Sequence, residues 1–280
     1  MSMRGGAIAS QGQLVVAGCM FRGNIALGQG GSISHNGTTA TIRHSPFEDS
    51  AAIVKQSLGT GEGGGIYIEL HGDDIVLDGV VFTNCTAASD GGAVALGERP
   101  DPTSSDATIT VSGCMFSACT AQQRGGGVAL TFSYGSFSRP ALAISGSTFT
   151  QCSAGGSSAG GGVFSVNSVI VTDSNFSGCT ALSGGALAYD TATRNFGKDN
   201  PTDSFFGADN VRVIGCGFTN NTAFYLGGAV YASDLNPVST SMHYDLVVRS
   251  SIFEGNVAAG GGGIAIATAS INGTAFIAQS

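Results

Sequence analysis

The chain has no tryptophan, six prolines in 280 residues, and lysine only at Lys55 and Lys198. Charged residues make up 11%, against roughly 25% in an ordinary soluble domain. Each shortage excludes a class. Collagen needs glycine at every third position and abundant proline. Disorder needs high charge with low hydrophobicity, whereas 42% of this chain is hydrophobic. Few Lys, Glu and Leu beside plentiful Gly, Ala, Ser and Thr argue against helices. The most apolar run, Ala258 to Ala269, is glycine-broken and shorter than the roughly 18 residues of a transmembrane helix, so no transmembrane segment is expected. A net charge of −8 and a pI near 4.7 exclude ordinary nucleic-acid binding, which needs a basic surface. The start, Met1-Ser2-Met3-Arg4-Gly5-Gly6, carries no apolar leader.

What the chain has in excess is glycine, 45 residues, and the glycine is periodic. Two glycines, a small residue and an aliphatic recur nine times, beginning at Gly5, Gly30, Gly63, Gly91, Gly125, Gly160, Gly184, Gly227 and Gly261. A second motif interleaves with the first. Phe21, Phe82, Phe116, Phe149, Phe176, Phe218 and Phe253 are each followed three residues later by Asn or Cys: Asn24, Cys85, Cys119, Cys152, Cys179, Asn221 and Asn256. Five residues after each Phe stands an alanine, from Ala26 to Ala258. Phe47 begins a degenerate copy and Phe276 a truncated one.

Internal repeats of this length indicate a solenoid. The shortest complete repeats, Gly160 to Gly184 and Gly5 to Gly30, span 24 and 25 residues. That length suits three short strands and three corners. Segments such as Leu14-Val15-Val16, Ile75-Val76-Leu77, Ile109-Thr110-Val111, Val169-Ile170-Val171 and Leu246-Val247-Val248 read as strands leading to the Phe corner. The expected fold is therefore all-β: a right-handed parallel β-helix of about nine coils, forming one domain over residues 1–280. Coils about 4.8 Å apart give a rod roughly 40 Å long. Like positions then stack into ladders. The structural ladder expected inside is Phe82, Phe116, Phe149, Phe176, Phe218 and Phe253 with Cys85, Cys119, Cys152, Cys179, Asn221 and Asn256. Both ends read as ordinary repeat rather than polar caps, so further coils or a neighbouring chain are expected there.

The alternation of GGA[ILV] with FxxN resembles the repeats of the chlamydial polymorphic outer membrane proteins; similar repeats occur in other surface proteins, including some of algae and protists. The resemblance covers essentially the whole chain. It implies a β-helical passenger or ectodomain at the cell surface or outside the cell, with adhesive or structural duties. The chain departs from that pattern in carrying Cys for Asn in four consecutive copies, and it shows neither a C-terminal autotransporter barrel nor a signal.

Seven cysteines fall into two phases: Cys85, Cys119, Cys152 and Cys179, and Cys19, Cys114 and Cys216 two residues before a Phe. The first four are either small buried spacers or disulfides Cys85–Cys119 and Cys152–Cys179, for which the coil spacing lies inside the Cα range. Zinc needs closely spaced pairs, so no metal or cofactor is expected. Five sequons mark glycosylation candidates at Asn36, Asn84, Asn175, Asn220 and Asn272. Gly156-Ser157-Ser158-Ala159-Gly160 matches a nucleophile elbow, and Gly59, Gly61 and Gly64 match a dinucleotide loop. Both motifs need a following helix, and here they fall in corners, so no catalytic residue is assigned. Among parallel β-helices are polysaccharide lyases and hydrolases, and hydrolysis needs paired carboxylates. Asp73-Asp74 beside His71 is the one compact acidic cluster, and it also reads as a solvated turn.

Four long arcs, Gly97 to Ala107, Thr131 to Pro140, Asp190 to Asn210 and Asp234 to Asp245, fall between a glycine-led strand and the next Phe-directed one. Repeat insertions gather on one face, and loops on a rigid scaffold carry function. Phe132, Tyr134, Phe137, Arg194, Phe205, Phe206 and Tyr244 are the candidate binding residues, for a glycan or protein on another surface; alternatively the aromatics pin the loops to the rod. The function expected is a non-enzymatic adhesin-like or structural spacer. A carbohydrate-active β-helix enzyme and a filament subunit are the alternatives.

Overall fold

The computed structural model describes residues 2–54, 60–71, 74–98, 107–132, 140–156, 159–190, 210–234, 245–268 and 274–278. Strands are short, two to five residues, and all pair in parallel with the equivalent strand of the neighbouring coil. The result is a parallel β-helix with four sheets. A glycine-led sheet has nine strands, from Ile8–Ser10 to Ile264–Thr268. A valine sheet has nine, from Gln13–Ala17 to Thr274–Ala278. A phenylalanine sheet has eight, from Phe21–Arg22 to Ile252–Glu254, and an alanine sheet has eight, from Ser2–Arg4 to Thr222–Leu226.

Four strands per coil replace the three that repeat length suggests. The fourth lies in the arc between the Cys or Asn position and the double glycine. It is as short as Thr86–Ala87 or Thr120–Ala121, and two residues carry no alternation by which a strand is read.

Register is strict through most of the stack. Ile66 pairs with Val94, Val94 with Val128, Val128 with Val163, and Val163 with Leu187. Phe pairs with Phe in the same manner from Phe21 to Phe253. The eight rings form one column, with centroids 4.4–5.0 Å apart and planes within 19° of parallel. Phe47 is a full member of this column. Phe253, at its end, is half-buried. Phe276 lies outside this sheet: its strand pairs with Asp245–Arg249 of the valine sheet, in register with Val247.

The two corner glycines answer different constraints. The first takes a positive φ, as at Gly125 with φ 62, a region open to glycine at little cost. The second is held by its neighbour: a Cβ on Gly126 would lie 2.4 Å from the Gly161 carbonyl oxygen of the next coil.

The cysteines occupy hydrogen-bonding positions of the ladder. The thiols of Cys85, Cys119, Cys152 and Cys179 each have two carbonyls within reach of their one proton, that of the Phe one coil earlier at 3.6–3.7 Å and that of the residue two back at 3.4–3.8 Å. Asn221 and Asn256 donate their side-chain amides to the same Phe carbonyl position, at 3.0 and 2.9 Å. The other cysteine phase shares its column with serine. Cys114 and Cys216 donate to the carbonyl two residues back, as Ser147 and Ser174 do. All seven cysteines are free, and Cys19 alone is exposed. Burial pushes the Cys114 thiol up to about 11. The neighbouring Cys119 thiol and burial raise Cys85 further.

Two outcomes follow. Phe149→Ala empties the middle of the ring column and is expected to cost about 3–5 kcal/mol, measurable by urea unfolding. Since the thiolate is the reactive form, iodoacetamide should modify Cys19 in the folded protein and leave the six buried thiols intact. Mass spectrometry without reductant should show no Cys85–Cys119 or Cys152–Cys179 cross-linked peptide; finding either would overturn the free-thiol ladder.

Candidate binding face

Between its two end strands, whose outward Ala9 and Ala265 are exposed and half-buried, the glycine-led sheet differs from the rest in being buried on both faces. Its inward residues, such as Ile66, Val94, Val128, Val163 and Leu187, belong to the main core. Alternation turns the next residue of each strand outward, giving the column Ser34, Tyr67, Ala95, Ala129, Phe164, Ala188 and Tyr231. All seven are buried. By contrast, Val15 on the outer side of the valine sheet is 76% exposed. Phe164, Val166, Ala188 and Tyr231 form an apolar cluster separate from the core, joined by Ala265 and Ala267.

Charged residues border this face where the alanine sheet turns into it. The residues just before the double glycines stack as Gln29, Glu62, Asp90 and Arg124, each carbonyl accepting from the glycine of the coil before. Arg124 grips Asp90 through two bonds of 2.9 and 2.8 Å, and its guanidinium lies 5.1 Å above the Phe164 ring. Asp90 is 2% exposed, so this pair is largely out of water. The alanines at 95 and 129 leave the face free of bulk between Tyr67 and Phe164.

A polar group borders the same face nearer the first coils. Glu62 accepts from Gln29 and Thr60 at 3.1 and 2.6 Å. Glu69 accepts from Asn36 at 2.7 Å, and Asn36 Oδ1 lies 2.8 Å from His71 Nε2. Tyr67 stands between these glutamates, and Gly97 makes room for it: a Cβ there would lie 2.8 Å from the Tyr67 hydroxyl. Burial, with Glu62 and Glu69 nearby, raises the Tyr67 pKa, so the phenol stays neutral.

The arcs that hold the sequence-derived candidates depart from one edge of this sheet. The long arcs leave from Val94–Glu98, Val128–Phe132, Leu187–Asp190 and Val230–Asp234, whose neighbours in the sheet are in register. Phe132 closes its strand, paired with Glu98. Tyr134, Phe137, Arg194, Phe205, Phe206 and Tyr244 lie outside the described residues, as does Asn272. Asn84, Asn175 and Asn220 are exposed. Asn36 is half-buried, with both ends of its amide engaged.

Of the acidic turn, Asp73 lies outside the described residues. Asp74 accepts from the Thr108 backbone N–H at 3.1 Å, tying two coils together. His71 is held by Asn36 rather than by a carboxylate. Among the described residues no three His, Cys, Asp or Glu side chains are placed to hold a metal ion, and no helix is long and apolar enough to cross a membrane. Comparison with family models, curated proteins and solved structures finds no match.

Sequence reasoning missed Tyr67, Phe164, Asp90 and Arg124. Asp90 and Arg124 are 34 residues apart, and the available signal is that each directly precedes a double glycine. Removing one partner of a buried pair strands the other. Arg124→Ala is therefore expected to destabilise by about 3–5 kcal/mol in urea unfolding. Arg124→Lys should recover only part of that, since it keeps the charge but loses the two-pronged bond and the ring stacking.

Proposed function

We propose that this chain is a non-enzymatic β-helical repeat protein of the cell surface or extracellular space, acting as an adhesin-like module or structural spacer. The observation that carries the reading is the asymmetry of the rod. One sheet is buried on its outer side, bordered by an engaged ion pair and a polar group, and it is also the sheet from whose edge all four long arcs depart. A rigid scaffold with variable segments gathered at one edge is the arrangement by which repeat proteins present binding surfaces. The interleaved GGA[ILV] and FxxN motifs support the same reading through their resemblance to surface-protein repeats. The partner is a glycan or a protein on another surface, met by the aromatic-rich arcs, because aromatic rings supply contact area at low entropic cost.

The test is binding of the 280-residue chain to immobilised glycans and to intact cells, before and after deletion of Arg194 to Asp209. The deletion should leave the thermal midpoint within a few degrees and reduce binding at least about tenfold, a loss of roughly 1.4 kcal/mol. Unchanged binding would remove these arcs from the interface. Release of new reducing ends or unsaturated sugars from a polysaccharide would instead establish an enzyme.

A further inference from the structure

His35 lies on the inner face of the glycine-led sheet, in the column of Ser10 and Ile68. Its side chain is fully buried. Nδ1 is 2.7 Å from the Ser10 hydroxyl on the first strand of the sheet, and Nε2 makes no hydrogen bond. The wall beside it is glycine. A Cβ on Gly37 would lie 2.7 Å from His35 Cε1 and 2.1 Å from the Gly12 carbonyl oxygen. Every later coil in this column places a residue with no basic group: Ile68, Leu96, Leu130, Ser165, Tyr189, Ala232 and Ile266. The only basic side chain of the column therefore sits where it ties the first strand to the second.

We propose that His35 is an acid-sensitive pin: a second proton on its imidazole releases strand Ile8–Ser10 from strand Ile33–Asn36 and uncovers the edge of the latter. A neutral imidazole needs one donor and one acceptor, and Ser10 satisfies one ring nitrogen whichever of the two atoms donates. The imidazolium must donate from both nitrogens. Nε2 then carries an N–H with no acceptor at full hydrogen-bonding geometry, relieved only in part by the Thr39 backbone, in a buried site where an uncompensated charge is costly.

The surroundings offer the charge little help. The first strand contributes the neutral Ser10. The next strand places Ile68 opposite His35 and turns Glu69 outward, where Asn36 holds it. Just beyond that strand His71 opposes a positive His35, while a hydrogen bond to the Thr39 backbone favours it. Burial outweighs the rest and lowers the His35 pKa below its ordinary 6.5. The direction of linkage is then fixed. The opened state takes up a proton near pH 6.5 and the closed state does so only at lower pH. The pin therefore holds fully above about 6.5 and weakens as pH falls from there towards the closed-state value, by up to tenfold per pH unit.

The experiment is hydrogen exchange of the whole chain between pH 7.5 and 5, corrected for intrinsic rates, read at Ile8–Ser10 and Ile33–Asn36. Wild-type protection in these strands should fall by up to tenfold per unit below about pH 6.5, with later coils unaffected. His35→Leu, the residue used at 96 and 130, should abolish the dependence. His71→Gln, which retains a donor for Asn36, should preserve it. Dependence that survives in His35→Leu, or none in the wild type, overturns the proposal. Should His35→Leu not fold, the His35 Cε1–H resonance of the wild type decides: a midpoint at or above 6.5 overturns it and one clearly below supports it.

Discussion

Each coil of this chain is bonded to the next by parallel backbone ladders that set like positions on one another. This pairing governs every side chain. A residue is repeated along its column at strand spacing, so a type tolerable once must be tolerable stacked. Phenylalanine meets that condition, because rings nearly parallel at 4.4–5.0 Å fill the interior as a continuous column. Charge does not. The columns therefore hold mostly hydroxyls, amides, thiols and small residues, and three of the successions of charge are opposite in sign and paired, Arg22 to Glu48, Arg43 to Asp78, and Asp90 to Arg124. The low charge content of the chain is a consequence of how it stacks.

The exchange of Asn for Cys along the inner corner follows from the same pairing. From Cys85 to Asn256 the position holds a short side chain that reaches the Phe carbonyl of the preceding coil, whereas Ser50 bonds to the Glu48 carbonyl and to Ser32. Asn221 and Asn256 do so with an N–H, and the four cysteines with a longer and weaker S–H. A thiol gives up hydrogen-bond strength and gains apolar character, which suits a column sealed from water. Cys and Ser share the other inner corner for a like reason, both donating to a backbone carbonyl two residues back.

Those parts of the fold that repeat were legible in the sequence, and those that occur once were not. The double glycines, the Phe column and the Asn or Cys position each appear in most coils, so alignment of the chain with itself finds them. Thr86–Ala87 escapes because it is too short to alternate. The buried outer face escapes for another reason: Ile66-Tyr67-Ile68-Glu69-Leu70 has large or apolar residues at both phases, so alternation gives no sign of which side meets solvent. Its column mixes Tyr67, Ala95, Ala129 and Phe164, complementary in size across coils rather than alike, and self-comparison rewards only likeness. Phe276 misleads in the opposite sense, having the residue type of the ring column and the register of the valine sheet.

Why the long arcs gather at one corner is a matter of backbone geometry. Three of the four corners carry a column of residues with positive φ. One is the first glycine of each pair. The second runs Gly18, His44, Gly79, Gly113, Gly146, Asp173, Gly215 and Ser250. The third runs Gly23, Asp49, Asn84, Ala118, Gln151, Gly178, Asn220 and Gly255. Non-glycine residues accept that conformation at a cost, so these corners are held to a fixed path by the ladders on either side. An insertion after any of these residues would displace the turn and the inward side chain that follows it. Between the glycine-led and valine sheets no such column exists; of the described residues there, only Gly12 has a positive φ. Length is thus tolerated most readily at that corner, where all four long arcs fall; elsewhere the largest departure is the ten residues between Ala52 and Gly63, against three between Ala87 and Gly91, and the loop-closure cost of added residues grows slowly. Chemical variety is forced to accumulate along one edge of the rod, next to the sheet whose outer face is already withdrawn from water.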